Sequence, residues 1–357
     1  MKKIEKLRSN FKTLGIDSIV VFNELNQHYL SEFSFTDGFL FITEENAFLV
    51  TDFRYHEMAL NSASKDFEIV VPEQRGLVAL GDLINKTGAK RIGFEGGFVS
   101  FETYTNLTNK YPEVCFVNAG NVIEQIRQIK TPEEIVKMQK AQDITDKAFS
   151  HLLTMIKPDM TELEVAVELE YAMRKNGASA FAFDTISVSG DASALPHGIP
   201  RNVKLKKGFL TLDYGAKFEG YCSDMTRTIV IGKADEDIKK LYNTVLNAQK
   251  SALEFLKADV DCGEADKIAR DIIDAVPEYN GAFGHSLGHS VGLFIHESPN
   301  LSARSFGRKL TKGNVVTVEP GIYLFGKYGC RIEDMVAIEE DGVYNFTHST
   351  KDLIEIL

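Results

Sequence analysis

Several common signatures are missing from this 357-residue chain, and each absence narrows its possible functions. No apolar run approaches the ~18–20 residues that a membrane-spanning helix needs, so no membrane partner is expected. The start, Met1-Lys-Lys-Ile-Glu-Lys-Leu-Arg8, is basic but lacks the apolar core of a secretory signal, and the expected location is the cytoplasm. Cysteine is sparse: Cys115, Cys222, Cys262 and Cys330 show no CxxC spacing, which argues against a disulfide framework and for reduced thiols. A glycine-rich phosphate loop is also lacking, because Gly93-Phe-Glu-Gly-Gly97 does not have GxGxxG spacing and reads as a turn. Positive charge is in deficit, with 40 Lys and Arg against 51 Asp and Glu and a net charge of −11. That balance argues against nucleic acid as a partner.

What is present suits a soluble globular protein with room for two domains. Residues 1–128 alternate short strands and helices and form an α/β domain. Its strand-like runs are 18–22, 38–42, 47–50, 67–71 and 92–94, and helices are expected near 54–63, 76–87 and 101–110. The N-terminal stretch reads as one amphipathic helix with Ile4, Leu7, Phe11 and Leu14 on its apolar face. A second domain spans 129–357 and reads as α+β. Thr131-Pro-Glu-Glu134 opens its first helix with a Thr cap, Pro at the first turn and Glu at the capping-box position. Thr161-Glu-Leu-Glu164 opens another, and further helices are expected at 236–257 and 263–275.

The chemistry is concentrated in acidic residues on paired strands. Phe209–Ala216 and Tyr221–Ile231 read as a hairpin. With its turn on Phe218 and Glu219, Asp213 lies directly opposite Asp224. Opposed strand residues sit about 5 Å apart, where two like charges destabilise a sheet, so a cation is expected between them. Val315–Tyr323 and Gly329–Ile338 repeat the device, with a turn near Gly326 that sets Glu319 opposite Glu333. Between the two hairpins, His285, His289 and His296 lie among Gly281, Gly284, Gly288 and Gly292, and His197 lies in the loop Ala194–Pro200. Asp213, Asp224, His289, Glu319 and Glu333 form an oxygen-rich ligand set for two divalent ions, with Mn foremost and Co, Zn or Fe also suited. Arg331 shares the strand face of Glu333 and is placed to orient a ligand carboxylate. Cys222 shares the face of Asp224 and reads as a packed thiol.

Asp213-Tyr-Gly-Ala, Ser223-Asp-Met-Thr-Arg-Thr228, Gly288-His-Ser-Val-Gly-Leu-Phe-Ile-His-Glu297, Glu319-Pro-Gly-Ile-Tyr323 and Arg331-Ile-Glu-Asp334 together resemble the pita-bread metallopeptidases. That family includes methionine aminopeptidase, prolidase and aminopeptidase P, with creatinase as a metal-free relative. The α/β domain resembles the creatinase-type N-terminal domain. The resemblance implies a pita-bread catalytic domain, the same five metal ligands, active-site roles for His197, His285 and His296, and Arg331 behind the ligands. It also implies a homodimer, and hydrolysis of the Xaa-Pro bond of proline-containing peptides through a metal-bridging hydroxide, with Glu319 moving the proton. Ser290 stands where the family often has Gly. Some prolidases place an arginine just after the His-Glu-x-Pro segment, whereas this chain has Asn300. Aminopeptidase P is therefore expected, with prolidase as the alternative if Arg304 or Arg308 reaches the site. A partner-binding relative without catalysis is the remote alternative, but such relatives usually lose metal ligands and none is lost here.

Overall fold

In the computed structural model, which describes residues 1–74 and 76–357, the chain divides into Met1–Arg127 and Gln128–Leu357. The first unit is built on a six-stranded mixed sheet. Its order is Glu68–Val70, Ala47–Val50, Phe39–Thr43, Ser18–Val21, Arg91–Phe94 and Cys115–Asn118. Ser18–Val21 and Phe39–Thr43 are buried at every position, which explains why they read as unbroken apolar runs rather than alternating ones.

Two local expectations change here. The N-terminal helix is not continuous: it splits into Lys3–Arg8 and Phe11–Leu14, and the Asn10 side chain donates to the Lys6 carbonyl at the break, a local bond that competes with helix. Helix Glu24–Ser31 was not expected, because its buried face interrupts Tyr29 and Leu30 with the polar Asn26, Gln27 and Ser31. Gln27 Nε2 donates to the carbonyls of Val21, Phe22 and Gly38, and Asn26 donates to Glu95. The Glu95 carboxylate also accepts the Phe22 and Asn23 N–H groups. The 93–97 turn thus fills the start of that helix with its own anion.

The second unit presents one sequence of elements twice. Helices Pro132–Leu153 and Glu162–Lys175 lead into the strands Ile186–Ser189, Gly208–Tyr214 and Met225–Ile231. Helices Glu236–Phe255 and Cys262–Asp274 then lead into Gly288–Ser290, Glu297–Leu301, Val315–Val318 and Asp334–Ile338. Both capping boxes expected from sequence are formed, at Thr131 with Glu134 and at Thr161 with Glu164. Each helix pair packs on its own strands to make a separate apolar core, one around Leu169, Leu210 and Ile229 and one around Val245, Val316 and Val336. The functional candidates lie on the strand side of both cores.

The loop that carries His197 is pinned at its far end by a buried carboxylate. Glu162, fully buried, accepts from the Ser189 N–H and hydroxyl and from Arg201 Nε and Nη2 at 2.7–2.8 Å. Burial pushes its pKa up, but the donors from Arg201 and Ser189 outweigh that and hold it below its ordinary value of 4.5. A carboxyl depressed in the folded state stabilises above its unfolded pKa, and that contribution is lost as the pH falls through the folded value. Glu162→Gln is therefore expected to lower stability by roughly 2 kcal/mol near neutral pH and to weaken the acid-side loss. Urea titrations of both proteins across that range check it; parallel curves would contradict it.

Candidate metal centre

Both acidic hairpins form, one with a corrected register. The first turns at Glu219 and Gly220, both at positive φ, as tight hairpin loops require. Phe218 therefore pairs with Tyr221, and Asp213 lies opposite Thr226 rather than Asp224. The shift is two residues, so strand alternation keeps Asp224 on the Asp213 face, one pleat along. In the second hairpin, Val318 pairs with Asp334 and Gly321 with Arg331. That register brings Glu319 opposite Glu333, as expected.

His289 arrives between the hairpins on Gly288–Ser290. Gly288 is required there by close approach, since a Cβ would stand 2.0 Å from the Thr317 carbonyl oxygen. His289 Nδ1–H donates to the Ser290 carbonyl at 3.2 Å, which leaves the Nε2 lone pair facing Asp224 Oδ2 at 3.6 Å and Glu319 Oε1 at 3.4 Å. Potential ligand atoms of Asp224, His289 and Glu333 all lie within 4.8 Å of one another.

Three of the four carboxylates are steered by a neighbouring side chain. Thr226 Oγ1 donates to Glu333 Oε2 at 2.7 Å, and Thr317 Oγ1 to Glu319 Oε1 at 3.1 Å. Arg331, buried, donates from Nη2 to Asp213 Oδ2 at 2.6 Å, from Nη1 to the Tyr323 hydroxyl at 2.7 Å, and from Nε to Thr226. Arg227 joins the two hairpins, donating to the Glu333 carbonyl and to Asp334. Sequence reasoning missed Thr226 and Thr317, although each lies two positions from a carboxylate on the same strand face, the rule that located Arg331.

Charge dominates the pocket. Burial, reinforced by the neighbouring acids, pushes Asp224 and Glu333 well above the ordinary carboxylate range. Burial takes Glu319 to about 8 against the pull of Arg331, with Asp213 adding to the rise. His289 is lowered to about 4, chiefly by burial, and is therefore neutral with its lone pair available. Asp213 Oδ1 is buried with no protein donor. An unpaired carboxylate oxygen, a neutral imidazole and crowded acids together fit divalent cations.

The other histidines are distributed unequally. His285 Nδ1–H donates to the Ser286 carbonyl, and Nε2 accepts from the Tyr323 hydroxyl at 2.9 Å; both ring nitrogens are thus engaged by protein. His296 is exposed, with its ring centroid 4.4 Å from that of His289. Its pKa is lowered by burial of part of the ring and by the charge of nearby His197. His197 is itself exposed, and the carbonyl before it, on Pro196, lies 3.4 Å from Arg331 Nη1. Arg304 and Arg308 are exposed, and Arg308 donates to Gln128. Cys222 is a buried thiol, as expected.

Comparison with known proteins identifies the family of both units. Residues 136–340 match metallopeptidase family M24, and residues 3–129 match the creatinase/prolidase N-terminal domain. The uncharacterized peptidase YqhT of Bacillus subtilis is 41% identical over 99% of both chains. The solved structure of an Xaa-Pro dipeptidase from Bacillus anthracis superposes with a TM-score of 0.95 at 41% identity, covering 99% of each chain. An X-Pro aminopeptidase from Thermotoga maritima gives 0.92 at 35% identity over the whole of both. The pita-bread architecture and the creatinase-type domain expected from sequence are both present. No helix among the described residues is long and apolar enough to cross a membrane.

The acidic cluster sets a pH dependence. Carboxyls raised in the folded state stabilise fully below their unfolded pKa and lose that contribution as the pH rises through the folded one. For Glu319 the window runs from 4.5 to about 8. Chelator-treated protein should therefore show a urea midpoint that falls as the pH rises through this window, and saturating Mn should flatten the fall. A metal-free midpoint that rises or stays level there would contradict the charge balance described.

Proposed function

The chain belongs to metallopeptidase family M24, and we propose that it is an Xaa-Pro aminopeptidase, removing the residue that precedes proline at the N-terminus of a peptide. Asp213, Asp224, His289, Glu319 and Glu333 would hold two divalent ions, Mn foremost. Such ions, when bound, supply Lewis acidity and an acidified water. The observation that most supports a metal site is the buried, unpartnered Asp213 Oδ1 beside three acids raised by burial.

The chain's own residues divide the remaining work. Glu319 takes the proton from the attacking water and delivers it to the departing nitrogen. His296 and His197 face solvent at the edge of the acidic pocket, where their N–H groups hydrogen-bond the substrate carbonyl and stabilise the oxyanion that develops on it. His285 acts through Tyr323 and Arg331, holding Asp213 in place. The Xaa-Pro bond carries no N–H, so recognition through the carbonyl suits it.

Asn300 supports the aminopeptidase reading. It pairs with His289 across the strands and is exposed, so a neutral amide stands where an arginine would clamp the C-terminal carboxylate of a dipeptide. Arg308 is engaged with Gln128 instead. The dipeptidase reading is favoured by the Bacillus anthracis relative, which is named for that activity. Metal-stripped protein restored with Mn and given an Xaa-Pro-Xaa tripeptide and an Xaa-Pro dipeptide decides between them. Release of the first residue mainly from the tripeptide is expected. Preference for the dipeptide would make the chain a prolidase, and cleavage of neither with Mn bound would refute the Xaa-Pro assignment.

A further inference from the structure

A buried cation beside the acidic pocket has no part in the chemistry above. The Lys130 side chain is 2% exposed, and Nζ donates to Ser290 Oγ and Glu297 Oε2, both at 3.2 Å. An ammonium is rarely buried unless paired in this way. The backbone at Lys130 is fixed as well, its N–H donating to the Gly313 carbonyl.

The two acceptors are cross-strand partners. Ser290 pairs with Glu297, and the strand register shifts between His289 and Ser290. Lys130 therefore bridges the strands at the first pair beyond that irregularity, at the base of the loop 291–296. Two of the pocket histidines depend on this base. His289 Nδ1–H donates to the Ser290 carbonyl, and His296 directly precedes Glu297. Glu297 extends the contact into the loop, since Oε1 accepts the Phe294 N–H at 3.1 Å. The loop in turn accepts the Cys222 N–H at the Gly292 carbonyl, 2.8 Å away and two residues before Asp224. A β-bulge re-aims a side chain, and it does so reproducibly only if its flanks are held. The Ser290 hydroxyl, at a position where a glycine would offer no acceptor side chain, is one of the two holds.

We propose that Lys130 is a positioning residue that locks the His289–Ser290 irregularity and the returning His296 loop, so that His289 Nε2 faces Asp224 and Glu319. The proposal rests on the reading of His289 as a metal ligand. Its test is Mn binding to the full chelator-stripped chain by calorimetry, with thermal midpoints measured in parallel. Lys130→Met should weaken Mn binding ten- to hundredfold, the range for residues that orient ligands from behind. Lys130→Met with Glu297→Gln, which removes both charges of the bridge, should regain thermal stability yet bind Mn as weakly as the single variant. Wild-type affinity in either variant would overturn the proposal and leave Lys130 as a structural ion-pair partner. Should Lys130→Met not fold, Ser290→Ala decides: weaker Mn binding upholds the proposal and unchanged binding overturns it. A wild-type chain that binds no Mn overturns the metal reading itself, and this proposal with it.

Discussion

Mutual repulsion among Asp213, Asp224, Glu319 and Glu333 is the constraint around which the catalytic unit is arranged. Four acids share one pocket, and burial makes their charged forms costly. The protein answers part of that charge with Arg331, which sits against Asp213 at 2.6 Å. The remainder is carried as raised carboxyl pKa values and as an Asp213 oxygen with no protein donor. A site left in that condition is poised to accept cations.

The fold makes this crowding possible by doubling one device. Each half of the unit brings a helix pair and a hairpin, and each hairpin supplies two acids on one face. Neither core has to bury the charges, because both lie behind the strands. Side chains between the hairpins then set direction. Thr226, Thr317 and Arg331 aim individual oxygens, and Arg227 holds the strand of Glu333 to the strand of Thr226. Around the pocket rim the histidines separate by environment. His285 is sealed between Ser286 and Tyr323, whereas His197 and His296 remain exposed.

Much of this was legible in the sequence, for reasons that differ by element. Capping boxes at Thr131 and Thr161 are local patterns, and the helices begin where those patterns stand. The second hairpin could be registered because Gly326 marks its turn. In the first hairpin, Glu219 adopts positive φ, which nothing in its residue type announces, so the register was misjudged by two. The face survived because strand alternation has a period of two. Helix Glu24–Ser31 escaped because its buried side mixes Asn26, Gln27 and Ser31 with Tyr29 and Leu30, and the two amides satisfy backbone carbonyls and a carboxylate, which breaks up the apolar stripe. Lys130 was invisible for another reason: its partners lie 160 and 167 positions away, beyond any local pattern.

The central claim is that the acidic pocket is completed by two divalent cations that displace protons. Titrating Mn into the stripped chain near neutral pH, in buffers of differing ionisation enthalpy, measures stoichiometry and proton release together. The account predicts two ions per chain and net release of protons, since the raised carboxyls must ionise on binding. Uptake of two ions without proton release, or saturation at one ion or none, would contradict it.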